Sequence, residues 1–293
     1  MAAPTAPTLV SLTTEGLKKG GYASPTSIQL TQAQDEWMNE IKNDILVLSG
    51  GRKLTSLYTT SMSVTINGKE RYARPTDFFS EMTIDILDGT IRGAATAGAV
   101  GSVTLAKDEG DIVGKYIMIT AGTGVGSMSQ TTAFNSSTFV ATVSPDFNTA
   151  PASGSSYMII DSIYPLQSKP VWDIGQNYSR GLPQIFYPIG DNNYGEFILY
   201  PTPYNTDNHV FGMRMRYYAN LMTLDLAGTL MATLYQRWRN IWVQGVLAKT
   251  LQMDDDNRQK QEIDNYYAMI KAMIARETYG MDISNLQSKV TDY

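Results

Sequence analysis

Few side chains of this sequence could carry acid–base or nucleophilic chemistry. The single histidine, His209, is predicted to lie in a loop between two strands. The sequence has no cysteine and no second histidine, so His209 lacks companions for a zinc ligand set. Two carboxylates, Asp77 and Glu81, could hydrolyse a glycoside if they faced one cleft, but nothing in the sequence brings them together. We therefore favour a chain with no catalytic residue, no resident metal and no cofactor.

A glycine-rich run, Gly122-Thr-Gly124-Val-Gly126, resembles part of a phosphate-binding loop. A dinucleotide site needs a glycine at the sixth position and a following helix, whose amides hold the pyrophosphate. Here position 127 is Ser, and strand-like residues follow it. We therefore predict a β-turn at this run rather than a nucleotide site.

Two charged runs lie in the C-terminal part of the chain. The acidic run, residues 254–256, lacks the glycine and the distal glutamate of a calcium loop. We predict that it is the solvated start of a helix, where acidic groups favour the helix dipole. Residues 229–252 contain three basic residues and no acidic one. Arg237 and Arg239 could contact DNA phosphates, but arginine beside tryptophan is more typical of protein interfaces.

This pattern predicts a contact surface between subunits on the C-terminal helices, where arginines would pair with acidic groups of a neighbour. Its candidate residues are the basic and aromatic side chains Arg237, Trp238, Arg239, Trp242, Tyr266 and Tyr267.

The composition is that of a folded protein with little surface charge. Hydrophobic residues make up 43 % of the 293 residues and charged residues 17 %, and the net charge is −5. A negative chain is not suited to coating nucleic acid. No segment reaches the roughly 20 apolar residues that cross a bilayer, and the N-terminus lacks the apolar stretch of a signal peptide. The low charge and 18 tyrosines fit either a surface covered by partners or a large aromatic core.

The N-terminal third is predicted to contain an arm, a helix and a hairpin. Residues 1–26 are expected to form a flexible extended arm, because several glycines and Pro25 interrupt them. Thr31 and Gln34 form a capping-box pattern for a helix over residues 31–48. A hairpin over residues 61–73 would turn at Asn67-Gly68, the favoured type I′ pair.

The middle of the chain, residues 90–161, is rich in Ala, Gly, Ser and Thr. Short β-prone runs recur there between turn residues, at 102–105, 115–120, 138–143 and 157–160. This spacing predicts a small β-barrel or sandwich module. Because the runs on either side of it are also strand-like, we expect the module to be inserted into a host domain.

The remainder predicts a strand pair followed by helices. The pair comprises residues 197–200 and 210–218, and two helices with apolar stripes follow, although one long bent helix would also fit. Gly280 is the expected C-cap. The fold class is therefore α+β. A core over residues 27–89 and 162–280 would pack the N-terminal helix with the C-terminal pair beside a β region, and residues 281–293 would form a tail.

The order of these parts resembles the head-to-tail adaptor, or connector, proteins of tailed bacteriophages over about residues 27–279. The likeness rests on scattered motifs: Gly68-Lys-Glu-Arg-Tyr72 with Pro75-Thr-Asp77, Gly181-Leu-Pro183 with Tyr187, Leu199-Tyr-Pro-Thr-Pro203 and Arg216-Tyr-Tyr218. Arg74 stands where the family often has leucine. The middle module is similar to one in several phage connector and tail proteins, through Val113-Gly114-Lys115, the glycine-rich run, Pro151 and Ser156-Tyr157. It departs from that pattern at Ser127 and Thr131.

The resemblance implies a structural virion protein without catalytic residues. Family members form a ring, commonly dodecameric, that docks on the portal protein and receives tail, nozzle or tail-fibre proteins on its other face. DNA passes through the channel without specific binding, and no membrane is involved. The implied location is the head–tail interface of the virion, after synthesis in the bacterial cytoplasm.

Two other functions stay open at this point. The chain could be another phage structural part, such as a tail-completion, nozzle or minor capsid protein, which position in the particle would distinguish. It could also be a hydrolase that uses carboxylates such as Asp77 and Glu81.

Overall fold

The chain belongs to the α+β class, as predicted. The computed structural model describes residues 7–170, 179–190, 195–206 and 209–279. The chain divides into two compact units. We term Met1–Tyr58 with Tyr218–Tyr293 the helical unit, and Thr59–Tyr217 the β unit. The predicted core instead joined the helices and part of the β region, so this division differs from the predicted boundaries.

The described residues of the helical unit form six α-helices, whose apolar faces meet around one of them, α5. The helices are α1 (Leu9–Lys19), α2 (Ser27–Gln32), α3 (Met38–Ser49), α4 (Thr229–Arg237), α5 (Arg239–Met253) and α6 (Gln259–Tyr279). As predicted, the N-terminal helix packs with the C-terminal ones. Gly245 of α5 makes this approach close, because a Cβ there would lie 2.6 Å from Ile41 Cδ1 of α3.

The capping box of the predicted N-terminal helix lies five residues earlier in the chain than predicted. The motif Thr-x-x-Gln occurs twice, and the reciprocal capping bonds form between Thr26 and Gln29. Thr31 lies inside α2, and the π-helical turn Ala33–Trp37 joins α2 to α3. The predicted start at Thr31 is therefore wrong by about one helical turn.

The predicted extended arm is wrong over Leu9–Lys19, which form α1. Thr8 and Ser11 cap this helix reciprocally, and Leu12 and Leu17 are fully buried. The glycines that suggested a break instead allow close packing. A Cβ on Gly16 would lie 2.6 Å from Val246 Cβ of α5, so α1 can approach α5 only because this residue has no side chain.

Replacing Gly16 with alanine is expected to lower the free energy of unfolding by about 1–3 kcal/mol, because the new methyl group forces α1 away from α5. Urea titration followed by far-UV circular dichroism measures the change. Val10→Ala on the exposed face of the same helix is the control and should have little effect. Equal stability of Gly16→Ala and the wild type would contradict the close packing.

The C-terminal helices separate at two points. Trp238 leaves helical geometry (φ −112°, ψ 26°), so α4 ends at Arg237 and α5 begins at Arg239. The predicted apolar stripe ran through this break as one helix. A turn at residues 254–258 then separates α5 from α6, which excludes one long bent helix. The two helices run antiparallel, because Trp238 contacts Glu277 and Gly245 lies beside Tyr266. Gly280 and the tail 281–293 lie outside the described residues.

The β unit, over the residues that the structure describes, contains three sheets. Its strands are β1 (Tyr58–Val64), β2 (Arg71–Ala73), β3 (Phe78–Ala94), β4 (Ala97–Ala99), β5 (Ser102–Thr104), β6 (Tyr116–Ala121), β7 (Met128–Asn135), β8 (Val140–Ser144), β9 (Ser156–Pro165), β10 (Gln167–Ser168), β11 (Arg180–Gly181), β12 (Ile185–Ile189), β13 (Glu196–Tyr200), β14 (Thr202–Pro203) and β15 (His209–Ala219). The largest sheet has the order β1-β15-β3-β9-β6-β7-β8-β5-β4. The others are β10-β12-β13-β2 and β11-β14.

The chain turns at Asn67-Gly68 as predicted, but not in the type I′ geometry, because of these two residues only Gly68 has a positive φ angle (72°), and the two flanking strands do not pair. Lys69 N–H donates to Ile66 O at 3.1 Å across the Asn67-Gly68 turn. However, β1 lies in the nine-stranded sheet and β2 in the four-stranded sheet. Burial of Tyr72 against Phe197, with ring centroids 5.7 Å apart, directs β2 to β13 instead. The predicted pairing of residues 197–200 with residues 210–218 is also wrong. These residues form β13 and β15, which belong to different sheets.

The middle module continues the large sheet of the β unit. Strands β4 to β8 follow β9 in that sheet. The predicted boundaries at 90 and 161 fall inside β3 and β9, which pair antiparallel from Asp85↔Pro165 to Ala94↔Ser156. The module has its own apolar cluster, in which Val103, Ile117 and Tyr157 are fully buried. Strand β7 was not predicted, because it contains mostly small polar residues.

Candidate subunit interface

Three of the six candidate interface side chains are buried within the helical unit. Trp238 is 4 % exposed, Trp242 0 % and Tyr266 2 %. Tyr266 donates its hydroxyl to Asp44 Oδ2 at 3.1 Å, and burial raises its pKa well above the usual range. The prediction that these three side chains contact a neighbour is therefore wrong. Their helical spacing reflects the core of this unit.

The other three candidates reach the surface. Arg237 Nε lies 2.9 Å from Glu277 Oε1, and Arg239 pairs with Glu15 of α1. These acids belong to the same chain, whereas the prediction paired the arginines with a neighbour. About half of each arginine side chain remains exposed, at 51 % and 48 %. Tyr267 is half-buried.

Glu277 is a buried carboxylate that was not predicted from the sequence. It lies beneath Arg237 and holds this arginine in place through an ion pair. Its Oε2 accepts hydrogen bonds from Thr55 Oγ1 (2.6 Å), Ser56 N–H (2.8 Å) and Ser56 Oγ (2.6 Å). Its Oε1 accepts from Trp238 Nε1 at 3.3 Å and pairs with Arg237. Burial opposes ionisation, but the donors outweigh it and hold the pKa of Glu277 below its ordinary value. The site thus keeps a charged carboxylate inside the unit.

The helical spacing of α6 in the sequence already indicates that Glu277 is buried. Ile270, Met273 and Ile274 form the apolar face of α6, and Glu277 continues it at i+7. A charged residue on an apolar face indicates a buried polar contact rather than a solvated one. Its partners Thr55 and Ser56 lie more than 200 residues away in sequence, so periodicity could not identify them.

A groove with a volume of about 580 Å³ lies between the α4–α5 junction and α6, and three arginines border it. We term this surface the basic groove. Its cations are Arg237, Arg239 and Arg276, and its apolar lining includes Ile241, Met269, Ala272 and Met273. Arg276 is exposed and has no acidic partner among the described residues, so the groove has excess positive charge.

A second groove, of about 550 Å³, lies between α3 and α6. We term it the acidic flank; it is lined by Asn43, Asp44, Val47, Leu48, Asp264, Tyr267, Ala268 and Lys271. The exposed Asp264 pairs with no cation in the described part of the chain, and Lys271 is the one basic residue of this lining. Val47 is 66 % exposed, which leaves an apolar side chain in water beside the carboxylates.

The two grooves lie on different sides of α6. Successive residues of an α-helix are about 100° apart. Asp264 and Lys271 of the acidic flank therefore lie about 140° around the helix from Met269 and Arg276 of the basic groove. The face of α6 opposite its solvent side packs on the core through Ile270. One helix thus presents two surfaces that differ in charge and face different directions.

The β unit holds the remaining candidates for chemistry. His209 is the first residue of β15, not a loop residue as predicted, and its Nε2 lies 2.7 Å from Asp88 Oδ1. Asp77 accepts a 2.6 Å hydrogen bond from the Tyr217 hydroxyl. Burial, aided by this carboxylate, raises the pKa of Tyr217 far above its usual range. Within the described ranges, no group of three or more acidic or histidine side chains is placed to hold a metal.

The glycine-rich run forms a turn between β6 and β7, as predicted. Gly122, Gly124 and Gly126 all have positive φ angles near 83°. Gly126 N–H donates to Ile119 O at 2.9 Å, which closes the turn. A strand follows the run rather than a helix, so its amides do not converge at a helix N-terminus.

The acidic run at residues 254–256 was predicted to start a helix, but it lies in the turn between α5 and α6: Asp254 is the C-cap of α5, and α6 begins at Gln259. Asp254 accepts a hydrogen bond of 2.8 Å from the Tyr22 hydroxyl. Asp256 accepts from the Arg258 backbone at 2.8 Å, and side-chain hydrogen bonds from Arg258 lower the pKa of Asp256. Both carboxylates thus have partners within the chain.

The helices of the described residues include none that is long and apolar enough to span a bilayer. Neither a protein-family model nor a curated protein matches this sequence.

Proposed function

We propose that this chain is a structural virion subunit, the head-to-tail adaptor of a tailed bacteriophage, which assembles as a ring around a DNA channel between portal and tail. The observation that supports this proposal is the pair of differently charged grooves on two sides of α6. A head-to-tail contact joins two different surfaces of each copy and produces a ring when the rotation closes. A helical unit with two such surfaces is suited to this kind of assembly.

The chemistry of the basic groove favours assembly over catalysis. Arginine and methionine are enriched at protein interfaces, and the groove combines both. By contrast, a hydrolase needs a carboxylate available to substrate. Asp77, which could serve as one, is engaged by Tyr217. A different virion role, such as tail completion, would use the same assembly chemistry at another position in the particle.

The purified chain is expected to form closed rings with a central channel at high concentration, because copies join through two different surfaces. Negative-stain imaging and native mass measurement test this together. Imaging of the chain mixed with portal-bearing heads covers assembly that a portal must template. A chain that is monomeric alone and does not add a ring to such heads would contradict the proposal.

A further inference from the structure

We infer that the basic groove of one copy binds the acidic flank of the next copy. This inference rests on the proposed self-assembly and specifies the surfaces that carry it. It identifies Arg276 and Asp264 as an ion pair between subunits. It also identifies Val47 as the apolar residue that the neighbour covers.

The charges on the two surfaces are complementary. Arg237 and Arg239 each have an acidic partner within the chain, whereas Arg276 has none among the described residues. On the acidic flank, Asp44 accepts from Tyr266, whereas Asp264 is left without a cation in the same described part. Arg276 on one surface and Asp264 on the other are therefore exposed charges that form no ion pair within the described residues. The two charges have opposite signs.

The apolar parts of the two surfaces are also complementary. Val47 is two-thirds exposed, an unfavourable position for a β-branched apolar side chain. The lining of the basic groove includes Met269 and Met273, whose flexible thioether side chains adapt to an inserted group. Met273 is already buried, whereas Met269 is half-buried, so burial of Val47 against Met269 would remove apolar surface from water on both sides.

Alternative pairings of these surfaces are less favourable. A twofold contact of the basic groove with itself would place arginines of two copies together, and like charges at an interface repel each other. Two acidic flanks would also repel each other, although less strongly, because each has two carboxylates, Asp44 and Asp264, and only one lysine, Lys271. Because the surfaces lie about 140° apart around α6, a groove-to-flank contact leaves one free surface of each kind on every pair. Further copies can therefore add until the ring closes.

The test uses charge reversal on the full-length chain. Arg276→Glu and Asp264→Arg are each expected to raise the concentration needed for assembly on the order of a hundredfold, because each places like charges together. An equimolar mixture of the two variants should assemble again. In an alternating ring, Glu at 276 meets Arg at 264 in one contact, and the wild-type pair forms in the next.

The controls separate fold, net charge and ligand class. Far-UV circular dichroism checks that both variants are folded, which is expected because both positions are exposed. Lys107→Glu makes the same charge change as Arg276→Glu on an exposed residue of the middle module, and should assemble like the wild type. Binding of a fluorescent DNA duplex is measured for every protein, because a basic groove could instead bind phosphate groups.

The outcomes distinguish this inference from the proposed function. Wild-type rings together with normal assembly of Arg276→Glu would overturn the inference and leave the adaptor proposal standing. Loss of assembly in both variants without recovery in the mixture would show that the two surfaces do not contact each other. DNA binding that Arg276→Glu abolishes while rings persist would assign the groove to nucleic acid. A wild-type chain that never assembles would overturn both.

Discussion

Replacing Glu277 with glutamine is expected to lower the free energy of unfolding by about 3 kcal/mol, because buried donors lose their acceptor. Oε2 of Glu277 accepts from Thr55 and Ser56, and Oε1 accepts from Trp238 and Arg237. A glutamine has one oxygen and one NH₂ group. Either orientation of the amide therefore places its NH₂ against donors, so one set of hydrogen bonds is lost whichever way it turns.

Urea titration of the two proteins, followed by tryptophan fluorescence, measures the effect, since Trp238 reports directly on this site. Glu36→Gln is the matched control. Glu36 is exposed and accepts from Gln32 on the same helical segment, so the change should stay within about 0.5 kcal/mol. If both variants were equally stable, the network at Glu277 would contribute no net stability.

The same carboxylate should make the helical unit sensitive to acid. The pKa of Glu277 is lower in the folded protein than in the unfolded chain, so its stabilising contribution is complete above the unfolded value of about 4.3. This contribution falls as the pH drops through the lower folded value. Glu277→Gln removes the titrating group, and its stability should therefore fall less steeply below about pH 4.3 than that of the wild type.

Asp85→Asn is expected to destabilise the β unit by about 3 kcal/mol, because it leaves two arginines without their counter-ion. Asp85 is 2 % exposed and accepts from Arg214 Nε at 2.8 Å, while Arg216 Nη2 lies 3.1 Å away. Arg214 and Arg216 are partly exposed, with 22 % and 39 % of each side chain accessible. Solvent screening therefore keeps the loss below that of a fully buried triad.

Asp161→Asn provides the matched control in the same unit. Asp161 lies 3.8 Å from Arg92 and 3.5 Å from Lys115, and its side chain is 44 % exposed. The same chemical change should therefore cost less than about 1 kcal/mol there. Thermal unfolding monitored at a wavelength dominated by β-structure compares the two variants. A loss of similar size at both positions would show that burial does not determine the strength of the Asp85 cluster.

The fold class and most elements were predictable because their signals are local. The apolar spacing of α3 and α6, the continuous apolar run of β6 and the alternation of β8 depend only on near neighbours in sequence. The partners of strands were not predictable in the same way. The Asn67-Gly68 turn forms, yet β2 pairs with β13 because Tyr72 is buried against Phe197, which is distant in sequence. α1 was missed because its glycines have a packing role that only the position of α5 reveals.

The location of the candidate surface was predictable from the sequence, but not all of the residues that form it. The arginines around the α4–α5 junction do border a groove, whereas the aromatic residues between them are buried. Amphipathic spacing cannot distinguish a tryptophan that faces the core from one that faces a partner, since both require an apolar surface. The acidic flank was not predicted, because α3 and α6 are joined only through tertiary structure.

The position of the β unit within the chain sets an order of events during synthesis. α1 and α3 are translated first, but α4, α5 and α6, which cover their apolar faces, follow only after residues 50–228. At about 5–20 residues per second, a ribosome needs roughly 10 to 35 seconds for that stretch. The whole β unit is synthesised within this interval. It can fold before α4, α5 and α6 are available to pack against the N-terminal helices. The first helices to leave the ribosome are thus the last to be buried, and during this delay their apolar faces are available to chaperones.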